Sequence, residues 1–167
     1  MLVRAFALSL FLSVLGCGGG ASLSGNLYRD AEASYRVGEL GAGWESVRMD
    51  QNDLAWHSAS LGAIVQVNAT CDPSGDVPLT SLTNHLLIGF TDREMLSSDP
   101  VALDGREALR SHVVASLDGV PRELLLYVLK KDECTYDFAL IAPTGERYTA
   151  AEPVFERFVA SFSTEGE

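Results

Sequence analysis

The chain beyond residue 34 consists of short apolar runs separated by turn residues. Its clearest stretch places Asp104-Gly105 and Asp118-Gly119 between strand-like runs. Asp-Gly is a strong signal for a two-residue hairpin, because both positions readily adopt positive φ. The pattern therefore predicts an antiparallel meander of four strands, which cover residues 95–103, 106–117, 120–130 and 134–142.

The third strand of this meander is apolar on both faces. Alternate residues of a strand point to opposite sides of a sheet, and here both sides carry large apolar side chains. An antiparallel sheet needs such residues only where both of its faces are covered. The two sets are Leu124, Leu126 and Val128 on one face and Leu125, Tyr127 and Leu129 on the other.

Four further strands are predicted before the meander. Residues 62–70 are apolar on both faces, which indicates a central position in the sheet. Residues 35–37 are predicted to form a first edge strand. Residues 44–49 and 53–58 supply the other two.

A mid-chain helix is predicted to cover one face of the sheet. Leu79, Leu82 and Leu86 recur at helical spacing on one side of this segment. They follow Pro78, a residue type favoured at the first helical position, and Gly89 is placed to end the helix.

The C-terminal stretch predicts a second helix, whose start is ambiguous. Thr149 and Glu152 imitate a capping box, whereas Pro153 favours a later beginning. The apolar stripe consists of Val154, Phe155, Phe158, Val159 and Phe162. Together the elements predict a single α+β domain over residues 34–164, in which an antiparallel meander sheet is covered by a mid-chain helix and a C-terminal helix.

The beginning of the chain resembles a bacterial lipoprotein signal. Arg4 precedes an apolar run over residues 5–15, which is shorter than the roughly 20 residues of a membrane span. Gly16 and Cys17 match the end of a lipobox, in which the cysteine is acylated, for example with palmitate, and becomes the new N-terminus. We expect residues 1–16 to be removed as a signal peptide, and the alternatives are an ordinary secretory signal or a buried helix.

Residues 17–33 should then form a lipidated cysteine and a flexible tether. Residues 18–29 are rich in Gly and Ser and carry too few bulky side chains to order themselves. The protein would be anchored to the bacterial cell envelope by its acyl chains. Gly18, rather than Asp, follows the cysteine, and by resemblance to the sorting rule of enteric bacteria this implies the outer membrane rather than the inner one.

Charge limits the expected partners. Removal of residues 1–16 takes away one arginine, so the formal net charge changes from −11 to −12. An acidic domain repels phosphate backbones, and we therefore expect no nucleic-acid partner. The expected partners are the membrane, reached through the lipid, and another envelope protein, while the sequence specifies no small-molecule ligand.

Glu152 and Glu156 are interpreted as part of a solvated helix face.

Cys71 and Cys134 remain as an even pair once Cys17 is lipidated. Disulfides form and persist in oxidising compartments, and each of these two cysteines ends or begins a predicted strand. We predict a disulfide between them, with two separate buried thiols as the alternative. Two distant cysteines without a histidine partner do not indicate a metal site.

The sequence contains no motif for catalysis or cofactor binding. A nucleophile elbow, a zinc-binding helix motif, a Walker loop and a dinucleotide-binding motif are all missing, so no catalytic residue and no cofactor is predicted. His57, His85 and His112 lie on different predicted elements. Asp137 interrupts an otherwise apolar alternation, and an inward carboxylate needs a partner. A structural hydrogen bond is the preferred interpretation of this residue.

Several sequence features together resemble the small bacterial envelope lipoproteins of the PsbP/Mog1-like class. They are a W-x-x-V strand, an NATC strand end before the mid-chain helix, two LDG turns, the segment YVLKKDECTYDF and the closing FERFVASF helix. The resemblance covers residues 44–162 and implies a central antiparallel sheet between helices. Members of the class act as photosystem subunits, GTPase-binding proteins or envelope lipoproteins, so no function or binding residue follows from it.

Three functional hypotheses follow. The first is a non-enzymatic role in binding or assembling another envelope protein, which predicts an exposed apolar patch or sheet edge. The second is a carrier or accessory role for a lipid or small apolar ligand, which predicts an enclosed apolar pocket between sheet and helix. An envelope hydrolase ranks last, because it requires polar residues with shifted pKa values gathered in a cleft.

Overall fold

The computed structural model describes residues 21–72 and 76–164 as two sheets and two helices. The expected signal peptide and Cys17 lie outside the described residues. Within the described residues, neither helix has the length and apolar content that a membrane crossing requires. In chain order the elements are β1 (Ser22–Ser24), β2 (Leu27–Arg29), β3 (Ser34–Arg36), β4 (Glu45–Val47), β5 (Leu54–Ser58), β6 (Ala63–Cys71), α1 (Leu79–Leu86), β7 (Thr91–Leu103), β8 (Arg106–Leu117), β9 (Val120–Lys131), β10 (Cys134–Ala142), α2 (Glu146–Ala160) and β11 (Ser163–Thr164).

The larger sheet contains seven strands in the spatial order β4-β5-β6-β10-β9-β8-β7. All of its neighbouring strands are antiparallel. β6 lies in the interior of this sheet, as its apolar sequence predicted. The smaller sheet has the order β1-β2-β3-β11, so β3 is an interior strand of a second sheet and not the predicted edge strand.

The meander from β7 to β10 confirms the hairpin prediction. Asp104 and Gly105 have φ angles of 47° and 72°, and Asp118 and Gly119 have φ angles of 50° and 77°. Both pairs therefore form the tight turn that Asp-Gly favours. β8 and β10 have the predicted bounds, whereas β7 begins earlier than predicted and β9 ends one residue later.

β9 is covered on both faces, and the α+β prediction is confirmed. On one face Leu125 and Leu129 belong to the large core that includes Phe155 of α2. On the other face Leu124 and Leu126 join a smaller apolar cluster, which packs against Leu86 at the end of α1 and includes the buried Leu87 just after it. The apolar character of both faces is thus explained by one helix on each side of the sheet.

The N-terminal part of the fold begins earlier than the sequence predicted. β1 and β2 form a hairpin within the segment that was predicted as a tether over residues 17–33. Tyr28 in β2 is buried, and its ring centroid lies 4.8 Å from that of Tyr35 in β3. The composition of this segment supplies few apolar contacts, but the neighbouring strand β3 supplies the ones that order it.

α2 begins at Glu146, before either of the starts that the sequence suggested. Pro153 lies inside the helix, on its exposed side, and cannot donate the backbone hydrogen bond of its turn. The helix nevertheless continues through this position. Tyr148 and Ala151 are buried upstream of it on the same stripe as Phe155, and this burial offsets the missing hydrogen bond.

A disulfide joins Cys71 to Cys134, as predicted. The two cysteines are direct partners on β6 and β10, and their Cα atoms lie 3.9 Å apart. The bond therefore fixes the pairing register of two strands that are distant in the sequence. A slip of either strand by one residue would move its side chains to the opposite face of the sheet.

Candidate functional site

A cavity of about 260 Å³ lies between α1 and the sheet face formed by β6, β9 and β10. One of its walls is apolar, because Leu82 and Leu86 are on the side of α1 that faces Val128 of β9. The polar part of the lining has contributions from both central strands and from α1. The lining consists of the aliphatic residues Val77, Leu82, Leu86 and Val128 and of the polar residues Thr70, Asp72, His85, Thr135 and Asp137.

The disulfide lies at one end of this cavity. Thr70 and Thr135 both line the cavity and are partners across β6 and β10, directly beside the pair Cys71 and Cys134. Since alternate residues of a strand point to opposite faces, the threonines face the cavity and the cysteines face the core under α2. The disulfide therefore restrains the strands that form this end of the cavity.

Asp137 is the polar position that the sequence singled out, and it lies in the cavity wall. The Nδ2 of Asn68, its partner on β6, donates a hydrogen bond of 3.0 Å to Asp137 Oδ1. The Oδ1 of Asn68 in turn accepts hydrogen bonds from Asn52 Nδ2 at 3.1 Å and from the backbone N of Asp53 at 3.2 Å. These two donors fix the orientation of the Asn68 amide, so that its NH₂ group points to Asp137.

The pKa of Asp137 is raised to about 6. Burial is the largest cause, because it penalises the charged form, and the negative charge of Asp53 adds to it. The hydrogen bond from Asn68 and the proximity of His85 both lower the pKa, but less than burial raises it. The carboxylate is therefore ionised above pH 6 and protonated in mildly acidic conditions.

Asp53 connects this site to the small sheet. Its Oδ2 accepts hydrogen bonds from the hydroxyl of Tyr35 at 3.0 Å and from the backbone N of Ala69 at 2.8 Å. Burial of the Asp53 carboxyl raises its pKa. Burial of the Tyr35 side chain, together with the negative charge of Asp53, raises the pKa of Tyr35. Asn68 completes the link through the backbone of Asp53, so a continuous set of polar contacts runs from β3 to the cavity.

A second polar network lies on the opposite face of the sheet, under α2. Arg110 of β8 donates to Glu152 at 3.0 Å and to Glu156 at 2.8 Å, and its Nε donates to the hydroxyl of Tyr127 at 3.2 Å. The interpretation of Glu152 and Glu156 as a solvated helix face is therefore wrong. Both glutamates lie on the helix side that faces β8, and they attach α2 to the sheet.

His112 lies in this network and not in the cavity. Its Nε2 is 2.9 Å from Glu123 Oε1, and its ring stacks on that of Tyr148 with centroids 4.9 Å apart. Glu123 Oε2 accepts a hydrogen bond from the backbone N of Gly145 at 3.2 Å, just before α2. These partners of His112 are not evident from the sequence, because they lie on another strand and on the helix.

The three histidines are thus on β5, α1 and β8, and only His85 lines the cavity. In the part of the chain that the structure describes, no three His, Cys, Asp or Glu side chains form a group suited to a metal ion. His85 is exposed at the protein surface. The arrangement around Asp137 is that of a binding cavity with one fixed carboxylate.

Solved structures share this architecture, although no family model and no curated protein matches the sequence. Cyanobacterial PsbP (CyanoP) from Synechocystis is 17% identical, with a TM-score of 0.58 over 78% of this chain and 86% of that one. LpqN, involved in cell envelope biogenesis of Mycobacterium tuberculosis, is 9% identical, with a TM-score of 0.55 over 78% and 84% of the two chains. A variant of the protein Mog1 is 13% identical, with a TM-score of 0.51 over 73% and 86%.

Proposed function

Given its PsbP/Mog1-like fold, we propose that this protein is a non-enzymatic binding protein of the bacterial cell envelope, anchored by lipid on Cys17. The lipobox-like sequence before Cys17 supports the anchor. The structural likeness to LpqN, a protein involved in cell envelope biogenesis, supports the location. Outer-membrane attachment is the preferred form of this anchor, because Gly18 follows the cysteine.

The cavity under α1 is the observation that carries the proposed activity. Its volume of about 260 Å³ is just below the roughly 300–1,000 Å³ that small-molecule sites occupy. Four of its lining side chains are aliphatic, and the five polar ones come from the strands β6 and β10, from the residue after β6 and from α1. This combination favours the binding of a small, largely apolar ligand, the carrier or accessory role, over a purely structural role.

Binding of a neutral apolar fluorophore, such as N-phenyl-1-naphthylamine, tests this activity. We expect saturable fluorescence enhancement with the unaltered domain and its loss in Leu82→Trp, which fills the cavity. Val120→Trp adds the same side chain at an exposed hairpin position outside the cavity and serves as the control. Equal binding by both variants, with both folded by circular dichroism, would place the fluorophore elsewhere and contradict the carrier role.

The anchor has its own test, which is independent of the ligand. We expect the unaltered chain to incorporate radiolabelled palmitate and to fractionate with membranes, and Cys17→Ala to lose both properties. A Cys71→Ala, Cys134→Ala double variant leaves Cys17 in place and should keep the label. Continued acylation and complete membrane fractionation of Cys17→Ala would show that the anchor is assigned to the wrong residue.

A protein partner is the second candidate function, supported by the sheet edge. β7 is an edge strand of the large sheet, and Met95 and Leu96 in it are 44% and 48% exposed. An exposed edge strand with apolar side chains is suited to pairing with an extended segment of another protein. We expect a photo-crosslinking residue at Leu96 to capture one envelope protein, and the same residue at exposed Val120 to capture none. Equal capture at the two positions would contradict an edge-specific partner.

A further inference from the structure

Asp137 presents one oxygen to the cavity as a fixed acceptor. Its Oδ1 accepts the hydrogen bond from Asn68, and Asn68 is held in a single orientation by Asn52 and by the backbone of Asp53. Among the described residues, Oδ2 of Asp137 has no hydrogen-bond donor. A largely buried carboxylate with a hydrogen-bond donor for only one of its two oxygens is suited to accept a hydrogen bond from a ligand at the other oxygen.

The charges around the cavity favour a positively charged group. Among the described residues, two lining side chains are carboxylates, Asp72 and Asp137, and none is Lys or Arg. Lys130 lies beside the cavity, and its Nζ donates to Asp76 Oδ1 at 3.0 Å and to the backbone O of Val77 at 3.3 Å. An anionic head group would meet the like charge of the largely buried Asp137, whereas a cation would meet an opposite one.

The remaining lining suits the rest of such a ligand. Thr70 and Thr135 offer hydroxyl oxygens beside Asp137, and an ammonium group has three donors for oxygens around it. The aliphatic side chains of Leu82 and Leu86 on α1 form the opposite wall, and Val128 lies beside Asp137 on the sheet. An uncharged hydrocarbon can pack between them.

We infer that the cavity selects a small organic cation, namely a primary amine on a short apolar body, with Asp137 as its counter-ion. This inference rests on the proposed ligand-binding function and specifies the class of ligand. Asn68 acts as a positioning residue, because its amide donates a hydrogen bond to Oδ1 of Asp137.

Three probes of equal chain length separate charge from hydrophobicity. They are n-hexylamine, 1-hexanol and hexanoate, and their binding is followed by NMR titration at pH 7.5. The protein used begins at position 17 and carries Cys17→Ser, so that it has no acyl group that could compete for the cavity. We expect the amine to bind about tenfold more tightly than the alcohol, because a charge-assisted hydrogen bond is the stronger one, and hexanoate to bind least. Equal binding of amine and alcohol would overturn the cation inference while leaving the ligand-binding function intact.

Asp137→Asn removes the charge and keeps the shape. We expect it to weaken amine binding about tenfold and to leave alcohol binding unchanged. Asp99→Asn, at an exposed position on β7 that does not line the cavity, removes the same charge and should change neither affinity. An equal loss for amine and alcohol in Asp137→Asn would contradict the counter-ion role. If none of the three probes binds the folded chain, the ligand-binding function itself fails.

A pH series tests the same point without altering Asp137. Acidification from pH 7.5 to pH 5 protonates a carboxyl with a pKa of about 6, so amine affinity should fall about tenfold while alcohol affinity stays constant. The charged and titratable groups that face Asp137 are Asp53, Asp72 and His85. Because a protonated His85 would also repel the amine, the series is repeated with His85→Gln. A pH-independent amine affinity in that variant would refute the role of Asp137.

Discussion

The side-chain amide of Asn68 donates a 3.0 Å hydrogen bond to the carboxylate of Asp137, its partner on the neighbouring strand. This pair joins two segments separated by 69 residues in the sequence. Asp137 of this pair is part of the cavity wall under α1. The relationship gives Asp137 a partner, but burial still raises the pKa of this carboxyl above its ordinary value.

Stability should respond to pH through Asp137. The pKa is about 6 in the folded chain and roughly 4 in the unfolded chain, so the folded state binds more protons between these values. The contribution of Asp137 to stability is therefore full below pH 4 and is lost as the pH rises towards 6. Its ionisation lowers the unfolding free energy by up to roughly 3 kcal/mol.

Asp137→Asn should remove this dependence. We measure the unfolding free energy of the variant and of the unaltered chain by urea unfolding at pH 4 and at pH 7. The stability of the variant relative to the unaltered chain should be higher at pH 7 than at pH 4. Asp99→Asn, which removes an exposed carboxylate, is the control. A stability difference between Asp137→Asn and the unaltered chain that does not vary with pH would show that Asp137 ionises equally in both states.

Loss of the disulfide should destabilise the domain substantially. Cys71 and Cys134 are separated by 63 residues, and closing a loop of this length corresponds to roughly 4 kcal/mol of lost unfolded-chain entropy. We expect the Cys71→Ser, Cys134→Ser variant to unfold at a correspondingly lower urea concentration. The intact domain should show no thiol reaction at these two positions until it is reduced, and reaction of both before reduction would contradict the bond.

Replacement of Arg110 by Met should loosen the attachment of α2. It leaves Glu152 and Glu156 without their shared cation, next to the half-buried hydroxyl of Tyr127. Because these groups are partly exposed, we expect a loss of about 1–2 kcal/mol in urea unfolding. Arg157→Met, at an exposed position on the same helix, should change stability by less than about 0.5 kcal/mol. Equal effects of the two variants would show that the ion pairs contribute nothing measurable.

Gly38 should not tolerate a side chain. A Cβ atom there would lie 2.9 Å from the backbone O of Phe158 and 3.1 Å from Cβ of Ser161, near the end of α2. We expect Gly38→Ala to lower the unfolding free energy by about 1–3 kcal/mol, as overpacking does. Gly119→Asn is the control, because it lies in open space at a positive φ that Asn accepts, and its effect should stay below about 1 kcal/mol. Equal stability of Gly38→Ala and the unaltered chain would show that α2 moves away freely.

The meander was predictable because its signals are local. Each turn and each strand pair is encoded within about 25 residues, and Asp-Gly specifies the turn directly. A strand was predicted at residues 35–37, but the small sheet was not, since β11 pairs with β3 over more than 100 residues. The start of α2 is not evident from the sequence, because the capping-box pattern of Thr149 and Glu152 and the position of Pro153 both indicate later beginnings, while Tyr148 is buried through tertiary contacts.

Of the two hydrogen-bonded residues at the candidate site, Asp137 could be singled out from the sequence and Asn68 could not. Asp137 stood out as a polar residue in an apolar alternation, but Asn68 on another strand carried no signal of its own. The predicted disulfide contained the missing information. If Cys71 and Cys134 are direct antiparallel partners, then three residues before the first and three after the second must also be partners, and these are Asn68 and Asp137. The cavity itself depends on how α1 lies on the sheet, which no local pattern specifies.

The bond between Cys71 and Cys134 also bears on the fate of a damaged molecule. The chain between the two cysteines includes α1 and the strands from β7 to β9. A protease that cuts one peptide bond in this stretch leaves both fragments covalently joined, with β6 and β10 still paired. A nicked molecule therefore stays in one piece until its disulfide is reduced.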